Sequence, residues 1–332
     1  MKEYADKNYI RAKTFALRQC FLKKEEYIKI INSGSLIHMY PELSASIEKD
    51  NYLELKKDIV AMELKGSIEI LHSNEKFAST LKNSFYELEE NNLRYIILNF
   101  IKSDFPVYQW FDFDYCNVIE NNLKDKELSL HDLLSLLKQF NIEIDNNEDF
   151  IMKDFLNSNF ESTLYFQKIN IFFKLMRNLN KRDSERILYL SIFTIISNLY
   201  ILAIRQRKNY KISENEISEF LENGIQKLEK LGIAKKNFLS IYRYIDERVL
   251  QHGIVVDKEM VQVDVSQVEV LLQNMHYSIV DKLYFSDFHS IISLICFQWF
   301  TFYQIKNLFT IIEGFRFNVS IDEISKRMVW GL

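Results

Sequence analysis

The sequence predicts an all-α protein built from long helices. Its 332 residues include only 2 Pro and 7 Gly, the residues that most often interrupt helices and form tight turns. Hydrophobic residues make up 48% of the chain and aromatic residues 14%, which is ample material for a large core. A short phrase, Asn-Leu, also recurs three times within long apolar helical patterns, at intervals of about a third of the chain. These three observations favour helical bundles over a fold that contains sheets.

The N-terminal third contains three predicted helical regions. Apolar residues recur at helical spacing over residues 9–31, and residues 32–35 end that pattern. Over residues 53–71, spacings of three and four are typical of an amphipathic surface helix, with Leu55 and Ile59 facing inward and the charges forming a solvated face. A third helix, over residues 85–101, ends before Pro106, which cannot continue a helix.

Later helix starts are marked by serine residues followed three positions on by an acidic residue. In such a capping box, the Ser hydroxyl and the Glu carboxylate bind the free amides of the first helical turn. The predicted pairs are Ser129 with Asp132, Ser213 with Glu216, Ser266 with Glu269, and Ser320 with Glu323.

Residues 255–270 are the part of the chain that fits helices least well. Val261, Val263 and Val265 alternate with polar residues, which is a strand signature. We interpret this stretch as an extended connector before the helix that starts near Ser266, with a short strand as the alternative.

Two uncharged runs, residues 187–204 and 289–305, are about long enough to cross a bilayer. Polar side chains interrupt both runs, Ser, Thr and Asn in the first and Ser, Thr and Gln in the second, and these would lack partners in lipid. We therefore predict helices that are buried nearly all round inside a soluble helical protein, and insertion into a membrane remains the alternative.

Charge and cysteine usage restrict the class of protein further. The net charge of −4 disfavours a general nucleic-acid binder. Cys20, Cys116 and Cys296 are widely spaced and form no close pair, which fits a reducing cytoplasm better than a secreted disulfide framework.

Groups with recognisable chemistry are scarce. The six histidines form no recognised metal pattern, and no phosphate loop, dinucleotide fingerprint or nucleophile elbow occurs. Asp112 and Asp114 fit exposed turn residues, with an acid–base pair as the alternative. The sequence therefore predicts no catalytic residue, no cofactor, no metal site and no small-molecule substrate.

A basic run follows the first uncharged stretch and contains Arg205, Arg207 and Lys208. Such a cluster can contact phosphates or an acidic partner. Cations at a helix C-terminus also simply complement the carbonyl dipole, so both interpretations stay open.

The Asn-Leu repeat predicts one helical unit used three times. Its copies are Asn92-Leu93, Asn198-Leu199 and Asn307-Leu308, and they divide the chain into units over residues 1–115, 116–222 and 223–332. We predict that each Asn hydrogen-bonds a neighbouring helix end, because an unpaired buried amide costs roughly 1–3 kcal/mol. On this interpretation Asn198→Leu weakens folding. The alternative is a chance alignment of common residues.

The repeat and both chain ends resemble the socket subunit of the V-type and archaeal-type (V/A) rotary ATPases, on which the central stalk stands above the membrane ring. That family places an acidic residue three positions before Asn-Leu, and Glu89 keeps this pattern before Asn92. The second and third copies have Ile195 and Gln304 at that position. Residues 9–13 and 22–31 are similar to the family's N-terminal helix, although Lys13 stands where an Arg is usual. Residues 305–308 and 323–329 are similar to its C-terminal end.

The resemblance implies a funnel of three similar helical bundles around a pseudo-threefold axis. The funnel has no active site and binds no cofactor. Its expected partners are the central stalk subunits of D and F type and the membrane rotor ring, at the cytoplasmic face of a membrane. Its expected task is to transmit torque between stalk and ring. A generic all-helical scaffold or interaction protein is the main alternative, followed by a polytopic membrane protein and by an enzyme with a helical core.

Overall fold

The computed structural model describes residues 2–37, 39–44, 47, 52–73, 165, 169, 176–177, 179–210, 214–230, 232–252, 264–286 and 291–331. Regular structure within these residues is entirely helical, and no strand occurs among them. The helices are α1 (Lys2–Gln19), α2 (Lys24–Ser33), α3 (Tyr52–Ser73), α4 (Lys181–Tyr210), α5 (Glu214–Lys230), α6 (Lys235–Gln251), α7 (Val265–Ser286), α8 (Ile291–Arg316) and α9 (Ile321–Lys326), with a 3₁₀ turn at Pro41–Leu43. The all-α prediction is confirmed for this part of the chain.

Several sequence-based predictions lie outside the described residues. They are the helix over residues 85–101, the helix starts at Ser129 and Ser213, the aspartates at 112 and 114, and the alternating stretch up to residue 263. The division into units 1–115, 116–222 and 223–332 also stays a prediction.

The N-terminal helical pattern divides into two helices, so the prediction of one continuous helix over residues 9–31 is wrong. α2 has its own start, where the backbone N–H of Lys23 donates to the carboxylate of Glu26 at 2.7 Å. The backbone N–H of Leu22, in the connection, donates to the side chain of Gln304 at 2.8 Å. The predicted end of the pattern is confirmed, since Gly34 closes α2 in the left-handed region, with φ 67°.

The structure confirms one predicted helix start and corrects another. Ser320 caps α9, and its Oγ accepts from the backbone N–H of Glu323 at 3.3 Å. α7, in contrast, begins at Val265 and is preceded by Asp264, whose carboxylate accepts from the backbone N–H of Ser266 at 2.9 Å and from its hydroxyl at 2.7 Å. The predicted capping box at Ser266 is therefore wrong, because its acidic partner Glu269 pairs with Arg205 of α4 instead.

α8 is the central helix of the described residues. It packs along α7, α3 and α1, and α4 packs against α7, α6 and also α8. Residues 292–301 of α8 are buried without interruption. The described part of the second uncharged run, residues 291–305, therefore lies in the interior. Such a helix is stabilised mainly by the removal of its apolar surface from water.

The first uncharged run lies in α4. Over Lys181–Arg205 this helix is long and apolar enough to cross a membrane by length and composition, with a mean hydropathy of 2.1. However, 78% of that apolar window is buried inside the protein. Burial of this extent is what the sequence predicted for a core helix.

Buried apolar side chains of the described residues form three clusters. The first contains Leu199 and joins α4 to α5, α6 and α7. The second is rich in aromatic rings and joins the start of α8 to α7 and α4. The third contains Leu308 and joins the end of α8 to α2, α3 and α9. We call the first the Leu199 cluster and the third the Leu308 cluster.

Candidate functional site

Asn307, in the third Asn-Leu copy, holds the chain segment that follows α9. Its Nδ2 donates to the carbonyl of Val329 at 2.7 Å, and its Oδ1 accepts from the N–H of the same residue at 2.8 Å. The side chain therefore pairs with an extended backbone as a neighbouring strand would.

Asn274 of α7 holds the same segment from the other side. Its Nδ2 donates to the carbonyl of Met328 at 3.2 Å, and its Oδ1 accepts from the N–H groups of Trp330 and Gly331 at 3.0 and 2.9 Å. We call Asn274 and Asn307 together the asparagine clamp. Because both amides are buried, their bonds stabilise one position of the C-terminal segment strongly.

The segment that the clamp holds also reaches the N-terminal helices. Gly331 adopts φ 88°, which L-residues rarely adopt, and it approaches Tyr277 of α7. The ammonium of Lys24 lies 5.0 Å from the ring centre of Trp330. The two ends of the described chain are thus joined through α2, α7 and α8.

Asn198, in the second copy, is used differently. Leu199 beside it is completely buried in the Leu199 cluster, as Leu308 is in the Leu308 cluster. Within the described residues, however, the Nδ2 atom of Asn198 is buried and has no hydrogen-bond partner. Among the described residues, this atom therefore makes none of the hydrogen bonds to a neighbouring helix end that we predicted for each Asn. Glu89, Asn92 and Leu93 of the first copy lie outside the described residues.

The basic run at the end of α4 is partly engaged inside the protein. The guanidinium of Arg205 forms an ion pair with Glu269 of α7. Both side chains are partly exposed, so this pair ties α4 to α7 at the surface of the bundle. The side chains of Arg207 and Lys208 lie outside the described residues, and their partner contact stays a prediction.

His276 of α7 lies in a buried polar network that the sequence did not reveal. Its Nε2 lies 2.9 Å from Oγ1 of Thr194, and that hydroxyl donates to the carbonyl of Leu190 at 2.8 Å. Since a hydroxyl has one proton, Thr194 must accept from Nε2–H, which leaves Nδ1 as the acceptor for the Tyr303 hydroxyl at 2.7 Å. The network cross-links α4, α7 and α8. Spacing along the chain could not indicate it, because the polar partners of His276 lie on other helices.

Glu63 of α3 corrects the prediction that the charges of this helix form a solvated face. It is partly buried between α3 and α8, and burial of its carboxyl raises its pKa to about 6. Its Oε2 accepts from Nε2 of Gln304 at 2.6 Å, and its Oε1 accepts from the Tyr40 hydroxyl at 3.2 Å. Gln304 is the residue that the third repeat copy carries in place of the family's acid.

Metal-binding chemistry finds no support in the described part of the chain. No group of three or more His, Cys, Asp or Glu side chains there is arranged to hold a metal ion. Cys296 is buried, and burial raises the pKa of its thiol, which makes it a poor nucleophile. The arrangement is that of a cross-linked helical core with buried polar contacts.

Comparison with known proteins identifies no relative: no protein-family model, curated protein or solved structure matches this chain.

Proposed function

We propose that this chain is a non-catalytic socket subunit of a V-type or archaeal-type rotary ATPase, which joins the central stalk to the membrane rotor ring. The observation that carries the proposal is the meeting of the two chain ends on which the resemblance depends. Tyr27, Ile30 and Ile31 of α2 pack with residues of α8 and α9 in the Leu308 cluster. Two distant stretches that resemble one family thus form a single structural unit.

The mechanical task of such a subunit requires a stiff body. α8 is buried on all sides over residues 292–301, and the asparagine clamp ties the chain end to α7 and α8. Closely packed interiors have low compressibility and transmit strain. These features suit a part that carries torque. The proposed shape is a funnel of three similar bundles around a pseudo-threefold axis, with units over residues 1–115, 116–222 and 223–332.

The proposed partners are the stalk subunits of D and F type and the ring of ion-carrying subunits, at the cytoplasmic face of the membrane. Arg207 and Lys208 are the proposed contact with an acidic partner surface. The ion pair between Arg205 and Glu269 holds the end of α4 against α7, and this is the helix that carries Arg207 and Lys208.

Co-purification tests the proposal directly. The full-length chain, tagged and expressed in its own cells, should bring down stalk and ring subunits from membranes solubilised in mild detergent. Washing the membranes with salt or chelator, without detergent, should release the chain. Recovery of the folded chain without either partner would refute the proposal and favour a generic helical scaffold. Retention on washed membranes would favour a membrane-spanning protein.

The basic run provides a matched pair of variants for the same assay. Arg207→Glu with Lys208→Glu should reduce recovery of the partner that binds this surface. Lys235→Glu with Lys236→Glu makes the same change of charge at exposed positions at the start of α6 and should leave recovery unchanged. Equal effects of the two variants would show a general charge effect and remove the basic run from the interface.

A further inference from the structure

Glu63 connects three parts of the chain through neutral hydrogen-bond donors. Gln304 of α8 donates to Oε2 of Glu63 and at the same time accepts from the backbone N–H of Leu22, between α1 and α2. Tyr40, which precedes the 3₁₀ turn, donates to Oε1. The carboxyl group of Glu63 therefore lies at the junction of α3, α8 and the segment over residues 22–43, which we call the N-terminal flap.

The electrostatic surroundings of this carboxyl group do not compensate its charge. Among the described residues, the charged group that acts on it is Glu42 of the 3₁₀ turn, and that negative charge raises the pKa of Glu63 further. The other groups that face it are the neutral phenols of Tyr40 and Tyr27 and the amide of Gln304. The two hydrogen bonds favour the ionised form, but burial outweighs them.

Protonation of Glu63 is therefore linked to closure of the flap. Its pKa is about 6 in the closed structure, against an ordinary value of 4.5 once water reaches the group. The closed form thus binds the proton more tightly than an opened form does. The free energy by which protonation of Glu63 favours the closed form is fully present below about pH 4.5 and is lost as the pH rises through about 6.

We propose that Glu63 is a proton-operated latch: its protonated carboxyl holds the N-terminal flap closed on α3 and α8, and its ionised form lets the flap open more often. Both forms lose the Tyr40 hydrogen bond when Tyr40 and the Leu22 connection move away, but the ionised carboxylate gains much more solvation in this movement than the neutral carboxyl does. The Leu308 cluster includes residues of α2, which belongs to the flap. Opening of the flap therefore weakens the apolar contacts between α2, α8 and α9. This inference does not depend on the socket proposal.

Hydrogen exchange of the full-length chain measures the latch. Peptides that cover residues 22–27 and 39–43 report opening of the flap, after correction for the intrinsic pH dependence of exchange. The difference between the two pKa values predicts an opening constant that rises roughly 30-fold over the whole titration, and about 15-fold between pH 4.5 and pH 7.5. Peptides from the middle of α8 should show no comparable change. An opening constant that is the same at both pH values would overturn the proposal.

Variants assign the pH dependence to one carboxyl group. Glu63→Gln has no ionisable group and should reduce the rise to less than about threefold. Glu69→Gln is the matched control, because Glu69 lies on the same helix, is exposed and pairs with Lys13 at 2.7 Å, which lowers its pKa, opposite to the shift of Glu63. It should keep the wild-type dependence. A Glu63→Gln protein that keeps the wild-type rise would also overturn the proposal.

The Tyr40→Phe variant gives a second test of the latch, in a protein that still has the carboxyl group of Glu63. The Tyr40 hydrogen bond lowers the pKa of Glu63, so its loss should move the midpoint of the opening transition to higher pH. An unchanged or lower midpoint would contradict the latch. This variant and the wild-type measurement decide the question even if Glu63→Gln does not fold.

Discussion

Asn198 and Asn307 occupy the same place in two copies of one dipeptide, within the long helices α4 and α8. The leucines that follow them, Leu199 and Leu308, are both completely buried. Asn307 binds the backbone of Val329 through both of its polar atoms, whereas Nδ2 of Asn198 is buried without a partner among the described residues. The leucine therefore marks a buried position in each copy, but the role of the asparagine depends on whether another backbone segment lies opposite.

The two regions also differ in how closely a second helix approaches. A Cβ atom on Gly314 of α8 would lie 2.5 Å from Cδ1 and Cγ1 of Ile324 of α9. A Cβ atom on Gly224 of α5 would lie 3.5 Å from Cδ2 of Leu199, which is ordinary van der Waals contact. Ile324 of the Leu308 cluster thus packs directly against the backbone of Gly314, with no room for a methyl group. Beside the Leu199 cluster there is room for a methyl group at Gly224.

The largest expected difference between the regions concerns the two asparagines. Asn307→Leu leaves the buried N–H and C=O groups of Val329 unpaired and should lower the free energy of unfolding by roughly 2–5 kcal/mol. Asn198→Leu, which the sequence predicts to weaken folding, removes an amide nitrogen that is buried without a partner among the described residues and should stay within about 1 kcal/mol of the wild type. Urea denaturation of both variants measures the two changes.

Asn307→Asp refines this comparison, because it keeps the acceptor for the N–H of Val329 and loses the donor. At neutral pH its destabilisation should be at least as large as that of Asn307→Leu, because a buried carboxylate then faces the carbonyl of Val329. Equal destabilisation by Asn198→Leu and Asn307→Leu would show that the two copies are equivalent after all.

The next largest effect should come from the glycines, with opposite signs in the two regions. Gly314→Ala forces Ile324 to move and should cost about 1–3 kcal/mol. Gly224→Ala fits the available space and should gain about 0.5–1 kcal/mol, because alanine restricts the unfolded chain and favours helix. Thermal and urea unfolding of the two variants provide the measurement. A stabilised Gly314→Ala protein would contradict the close approach of α8 and α9.

The smallest effect should come from the helix caps that follow each motif. Ser320→Ala removes the cap of α9 and should cost about 1 kcal/mol. Ser213→Ala tests the cap predicted at the same position of the second copy, which lies outside the described residues, and should cost a similar amount because α5 begins at Glu214. Unfolding measured under identical conditions compares the two. A Ser213→Ala protein with an unchanged free energy of unfolding would show that the two copies also differ in their helix caps.

Much of the fold follows from local patterns. The low number of helix breakers predicted the all-α class, and the spacing of apolar residues placed Leu55 and Ile59 of α3 inside. The two uncharged runs predicted the most buried helices. Each of these inferences rests on residues within a few turns of one another, where composition and periodicity determine which face of a helix is apolar.

The burial and the bonding partners of the polar side chains could be predicted from the sequence much less well than the helices. Glu63 has the same helical spacing as its exposed neighbours, and only the position of α8 reveals that its carboxyl is partly buried. Asp264 and Ser266 both suit a helix start, and the ion pair between Glu269 and Arg205 of another helix decides between them. His276 acquires its role from Thr194 and Tyr303 on two other helices.

The sequence by itself determined the helical class, the buried leucine of the second and third copies and the start of α9, because these depend on short-range periodicity and on hydrogen bonds within one helical turn. Tertiary structure decided which polar side chains are bonded in the core. Asn307 meets Val329, Gln304 joins Glu63 to Leu22, and Asn198 meets no described partner with its amide nitrogen. The free energy of a buried polar group depends on what lies opposite it, and that is fixed only when the helices pack.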